Sequence, residues 1–213
     1  HPLPDVRQSA FALVGELSKS SMVVLRGYLG EYLPIMAGNL QAEYHSACNN
    51  ACWAIGEVVL RIGKDMEGMV EDLVKQLVRI LNSGHFNRCL LENAAITLGR
   101  LGLAMPERVA PHLGEFLKRW CSYLQAVRDD AEKESAFRGM CLMVKHNPHG
   151  AVKHFSYLVE AMASWQQPPQ ELQVMFHHIL HSFKQSLGPE AWLKITQTWQ
   201  PELVSHLAQQ YQL

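Results

Sequence analysis

Three groups of residues have types and spacings that could do chemistry. Cys48 and Cys52 stand four apart, as do His177 and His181 beside His178. Residues i and i+4 share one face of a helix, so either pair could offer two metal ligands. No Cys-x-x-Cys or His-Glu-x-x-His pattern accompanies them, and no third ligand is evident. The cysteines therefore read as small buried apolar residues and the histidines as ordinary surface or half-buried side chains. No metal or cofactor is expected. No glycine-rich phosphate loop follows a strand and no nucleophile has a convincing partner, which points away from an enzyme.

The third group is Asn49, Trp53 and Glu57, in the run Cys48-Asn49-Asn50-Ala51-Cys52-Trp53-Ala54-Ile55-Gly56-Glu57. At about 100° per residue, Ile55, Val58, Val59 and Ile62 form an apolar stripe around Ala51. Trp53 lands roughly 200° from Ala51 on the same wheel, with Asn49 one turn before it and Glu57 one turn after. A large aromatic on the side away from its helix's own stripe implies a second packing surface or a binding surface.

The elements that position this group read as helices throughout. The first runs from about Asp5, a plausible N-cap after Pro4, to a break at Gly27–Gly30. A short apolar segment follows from Tyr32 to Leu40, then Tyr44–Ile62 closed by Gly63, then Met69–Leu81 ended by Asn82-Ser83-Gly84. Next come His85–Leu101, Glu107 to about Val127 with a late start or kink at Pro111, and a helix through Val144 fronted by Asp129-Asp130. Segments 151–165, 171–187, 190–199 and 202–211 complete the chain, divided by Pro168-Pro169, Gly188-Pro189 and Pro201. No alternating β-branched run suggests a strand.

These helices repeat. Ser9-Ala10, Asn50-Ala51, Asn93-Ala94 and Ser135-Ala136 open similar phrases, with the alanines 41, 43 and 42 residues apart. The first three phrases place a glycine five residues later, at Gly15, Gly56 and Gly99. A period of about 40–47 residues with two helices per unit is the signature of HEAT or armadillo repeats. The fold class is thus all-α, a HEAT-repeat solenoid of about five stacked helix pairs. Its approximate units are 1–27 (second helix only), 28–66, 67–105, 106–147, 148–188 and 189–213. In equivalent phase, Ala12, Trp53, Ile96 and Arg138 line one row, with Asn49 and Glu92 a turn before its second and third members. Trp53 and Ile96 then form either a docking strip or a packing surface between helices.

Composition bounds the partners. The chain has 213 residues, 48% apolar and 18% charged, with net charge −1. That supports a packed core and gives no basic excess for nucleic acid. No apolar run approaches the ~18 residues of a membrane span. The five cysteines are scattered without a disulfide framework, which fits a reducing intracellular compartment. His1-Pro2-Leu3-Pro4 shows neither an initiator methionine nor a signal-peptide pattern, so the chain reads as a piece of something longer.

Val6-Arg7-Gln8-Ser9 with Phe11-Ala12-Leu13, and Cys48-Asn49-Asn50-Ala51 with Trp53-Ala54-Ile55-Gly56-Glu57, resemble the C-terminal HEAT repeats of the transportin (karyopherin-β2) family. So do Leu90-Leu91-Glu92-Asn93 with Ala95-Ile96-Thr97, Gly99-Arg100-Leu101-Gly102, Val109-Ala110-Pro111, Trp120-Cys121, Glu132-Lys133 with Ser135-Ala136-Phe137-Arg138-Gly139, and Ala163-Ser164-Trp165. The resemblance implies a non-enzymatic nuclear import receptor that shuttles between cytoplasm and nucleus. Its cargoes, often RNA-binding proteins, carry proline–tyrosine nuclear localisation signals. The family tryptophan that receives the N-terminal hydrophobic or basic part of the signal matches Trp53. Family asparagines match Asn49 and Asn93, an apolar neighbour matches Ile96, and a family isoleucine position is taken by His45. Glu57 and Glu92 would favour basic cargo through local potential. RanGTP would act through repeats N-terminal to this segment, and nuclear pore proteins are further implied partners. Neither direct nucleic-acid nor membrane binding is implied. The alternative reading is a HEAT-repeat scaffold subunit that organises a multiprotein complex.

Overall fold

A computed structural model describes residues 1–41 and 43–213, and among these every regular element is helical. In chain order the helices are α1 (Pro4–Leu25), α2 (Leu29–Ala37), α3 (His45–Ile62), α4 (Glu67–Ser83), α5 (Arg88–Ala104), α6 (Pro106–Val109) and α7 (Leu113–Leu124). They continue as α8 (Ala131–His146), α9 (Pro148–Val152), α10 (Phe155–Ala163), α11 (Gln170–Thr196) and α12 (Pro201–Tyr211). Helices α1, α3, α5, α8 and α11 stack in that order as one layer, while α4, α7 and α10 pack in sequence as a second. The core lies between the layers. It is the all-α HEAT-repeat arrangement that the periodic text predicts.

The boundaries follow local chemistry. The Asn87 side chain accepts a hydrogen bond from the Leu90 amide at 2.9 Å, so α5 starts at Arg88 rather than at His85. Asp130 Oδ1 accepts from the amides of Glu132 at 2.9 Å and Lys133 at 3.3 Å, capping α8 with a carboxylate that also suits the helix dipole. At the first helix the cap is Leu3, and Asp5 falls inside the first turn behind Pro4. A 3-10 turn at Ala110–His112 carries Pro111 and delays α7 to Leu113. Helix α11 changes direction at Gly188, whose φ of 75° suits a residue without a Cβ, and Pro189 follows as the start of the next helical run.

Small residues set the distance between stacked helices. A Cβ at Gly99 would lie 2.6 Å from Ala136 Cα, and one at Gly139 would overlap the Gly99 carbonyl oxygen. Helices α5 and α8 therefore meet backbone to backbone, which is why the repeated phrase keeps Ala and Gly five residues apart. Between α1 and α3 the same role is played differently. A Cβ at Gly15 would overlap the ring of Trp53.

The other tryptophans are packing residues, as their apolar contexts predict. Buried Trp120 donates to the Ala95 carbonyl at 2.8 Å and meets Phe137 edge-on at 5.0 Å. Phe137 in turn contacts Trp165 and Phe176 edge-on, tying α7, α8 and α11 into one aromatic seam. Phe155 stacks on Phe183 at 4.2 Å, with Trp192 and Trp199 beside it. Met140, Met143 and Met162 are buried, and Met175 packs against the core. Among the described residues, no helix is long and apolar enough to cross a membrane.

Candidate functional site

Trp53 projects from the middle of α3, where two other helices reach it. Its ring covers Gly15 of α1, and the Lys19 ammonium of α1 lies 4.6 Å from the ring centroid. Its indole Nε1 donates to Glu132 Oε1 of α8 at 3.1 Å. The residue is half-buried, packed against the core on one side and open on the other. Its wheel position therefore describes both uses at once: part of the ring packs between repeats, and part remains available.

Asn49 and Asn93 join the site as a ladder. Asn93 Nδ2 donates to Asn49 Oδ1 at 3.0 Å, Asn49 Nδ2 to Asn50 Oδ1 at 3.3 Å, and Asn50 Nδ2 to the Gln8 carbonyl at 3.1 Å. The chain links α1, α3 and α5, and fixes the orientation of each amide. Among the described residues only one N–H of Asn93 enters this ladder, which leaves its second N–H and its carbonyl able to bond a further amide. Half-buried Glu92 pairs with Arg88 at 2.6 Å, which offsets its charge locally. His45, at the first position of α3, is exposed and touches Phe86 edge-on at 5.4 Å.

Two members of the expected face are placed elsewhere. Ile96 is 4% exposed, in the core, so the apolar strip does not continue from Trp53 to a second exposed side chain. The reason is the stacking itself: α5 lies between α3 and α8, and a residue at that phase is covered from both sides. Glu57 is also 4% exposed. It does not project an open negative potential, because Arg100 Nη1 lies 2.8 Å from one carboxylate oxygen and Arg61 Nη1 lies 3.0 Å from the other. Buried carboxylates persist where they are paired in this way. Arg138, the fourth member of the row, pairs with Glu134 and with Glu171 of α11 at 2.7 Å each.

Sequence reasoning missed Glu132, which supplies the acidic group beside Trp53. It also lies 3.6 Å from Arg100 Nη2, with its side chain 39% exposed. Trp53, Glu132, Arg100, Glu57 and Arg61 thus form one connected set across α3, α5 and α8. Two members of this set carried a readable signal. Glu57 and Arg100 each stand six residues past their unit's alanine, so equivalent positions in neighbouring units hold opposite charges. The contact of Trp53 with Glu132 had no such signal, because it spans two units and depends on how far the side chains lean.

Among the described residues, no group of three or more His, Cys, Asp or Glu side chains could hold a metal ion. Burial pushes the Cys48 thiol up to about 11 and the Cys52 and Cys141 thiols well above their usual range. Only Cys89 is exposed. Brief treatment of the native chain with iodoacetamide is therefore expected to add one adduct, at Cys89, and unfolding should allow all five; peptide mass mapping reads both. His177 and His181 stack at 4.0 Å, and His181 Nε2 meets the Tyr211 carbonyl at 2.8 Å, so these histidines pack α11 against the end of α12.

A family profile described as "Importin subunit beta-1-like, TPR repeats" matches residues 4–212. Transportin-1 of Homo sapiens is 42% identical over 209 residues, covering 98% of this chain and 23% of that protein. The chain belongs to the transportin family. Transportin-1 of Oryza sativa subsp. japonica is 44% identical over 95% of the chain and 24% of its own length. Importin subunit beta-2 of Schizosaccharomyces pombe is 38% identical over 98% of the chain and 23% of its own length. The chain spans about a quarter of the length of these curated relatives.

Proposed function

We propose that this chain forms the part of a nuclear import receptor that takes the N-terminal hydrophobic or basic portion of a cargo's proline–tyrosine nuclear localisation signal. The observation that carries this reading is the half-open Trp53 ring, flanked by the Asn49–Asn93 ladder and by the Glu132 carboxylate. A rigid aromatic surface desolvates aliphatic side chains, and its face attracts cations. Asn93 supplies backbone contacts that do not depend on cargo sequence. Glu132 favours basic over acidic cargo, while the charge of Glu92 is largely taken up by Arg88. His45 forms the rim at the start of α3. Ile96 and Glu57 support the site from within the stack.

In this reading the receptor is not an enzyme. It carries cargo, often RNA-binding proteins, between cytoplasm and nucleus, and it meets nuclear pore proteins on the way. RanGTP acts on it through repeats N-terminal to this segment. The 213-residue chain is expected to bind a peptide bearing a basic and hydrophobic localisation signal weakly, with a Kd of micromolar or above, because the remaining footprint adds avidity. Isothermal calorimetry against that peptide and an acidic scrambled control tests this. No heat with the basic peptide, or equal affinity for both, would leave the scaffold reading in its place.

A further inference from the structure

The chain's near-neutral charge conceals a strong local imbalance. Between Glu134 and Glu160 no acidic residue occurs, and none occurs between Glu171 and Glu190. These two stretches hold Arg138, Lys145, Lys153 and Lys184, together with six of the eleven histidines. They are most of α8, α9 and the first half of α10, and the body of α11. Where they face each other the structure has a groove of about 820 Å³.

The groove is apolar at its base and basic along its rim. Val152, Ile179 and Leu187 contribute to the apolar surface, and Val152 is 44% exposed there. Lys145 and His149 stand on one wall and His178 on the other. Lys145 makes no ion pair among the described residues, unlike Arg138 about two turns earlier on α8. The α11 wall runs from Met175 to Leu187, about 18 Å at 1.5 Å per residue, the length of roughly three helical turns.

We propose that this groove docks an acidic amphipathic peptide. Apolar side chains at helical spacing would fill the base, and carboxylates on the flanking face would meet Lys145, His149 and His178. The placement of the basic groups decides between a peptide and a fatty carboxylate. A single anionic head needs its cation at one end of an apolar slot, whereas here the basic groups stand on both walls. The proposal is independent of the Trp53 site, because none of the groove's lining residues takes part in it.

The probe is a fluorescein-labelled peptide of about four helical turns, with Leu and Phe at every third or fourth position and Glu between them. Fluorescence polarisation against the 213-residue chain should show saturable binding that weakens with added salt. Lys145→Glu and Val152→Glu, both at exposed positions and each checked for an unchanged circular dichroism melt, should each weaken it about ten-fold. A version with Gln in place of Glu should lose at least as much, and Lys75→Glu on α4 should change nothing. Equal affinity for the two groove variants and wild type, or for the Glu and Gln peptides, would overturn the proposal. Saturable binding of laurate without binding of the peptide would also overturn it.

Discussion

Replacing Glu57 with leucine is expected to lower the stability of the chain by about 3 kcal/mol. The carboxylate is one of the few buried charges in the molecule, and it serves two arginines from opposite sides. Arg61 is partly exposed and can turn to water. Arg100 cannot, because its side chain is 4% exposed, and without Glu57 it keeps only Ser135 and a Glu132 oxygen at 3.6 Å. An uncompensated buried guanidinium is what makes the loss large. For a domain of this size the loss corresponds to a Tm drop of roughly 6–12 °C. The double variant Glu57→Leu/Arg100→Met should recover most of it, since two apolar side chains can replace a buried pair without leaving a charge. Thermal melts of the two singles and the double test this. A double variant that falls by the sum of its singles would show that the pair does not couple α3 to α5.

The same pair shows what the amino-acid text could and could not convey. Stacking is periodic, so a repeat of Ala and Gly at intervals of 41 to 43 residues predicts which helices touch, and α5 and α8 do meet at Gly99, Ala136 and Gly139. Periodicity also gives the row that holds Trp53. It does not give the depth of that row. Ile96 sits at the equivalent phase one unit later and is in the core, because neighbouring helices close over α5 from both sides. A helical wheel treats each helix as if one half faced water. In a solenoid an inner helix has neighbours on three sides, and exposure is decided by side-chain length as much as by angle. Trp53 is long enough to emerge and Ile96 is not. Glu132 was illegible for a related reason: its contact with Trp53 crosses two units, and no single period relates the two positions.

Trp53→Ala is expected to weaken binding of a basic and hydrophobic localisation peptide by about 2 kcal/mol or more, roughly thirty-fold. Part of that loss could come from disturbed packing over Gly15, so two further substitutions separate recognition from architecture. Glu132→Gln keeps an acceptor for the indole N–H and removes the charge. It should cost a peptide with basic residues about three- to five-fold and leave a purely hydrophobic peptide unaffected. Lys19→Met acts in the opposite direction. The ammonium of Lys19 already occupies the neighbourhood of the Trp53 ring, 4.6 Å from its centroid, and a cargo cation must displace it or share the face. Removing that ammonium should tighten binding of the basic peptide and change the hydrophobic one little. Calorimetry on the three variants, each with an unchanged circular dichroism spectrum, reads these effects directly. Equal affinity of wild type and Trp53→Ala would remove the ring from the binding surface. A loss on Lys19→Met as large as that on Trp53→Ala would mean that the α1–α3 contact, and not the aromatic face, is what the peptide requires.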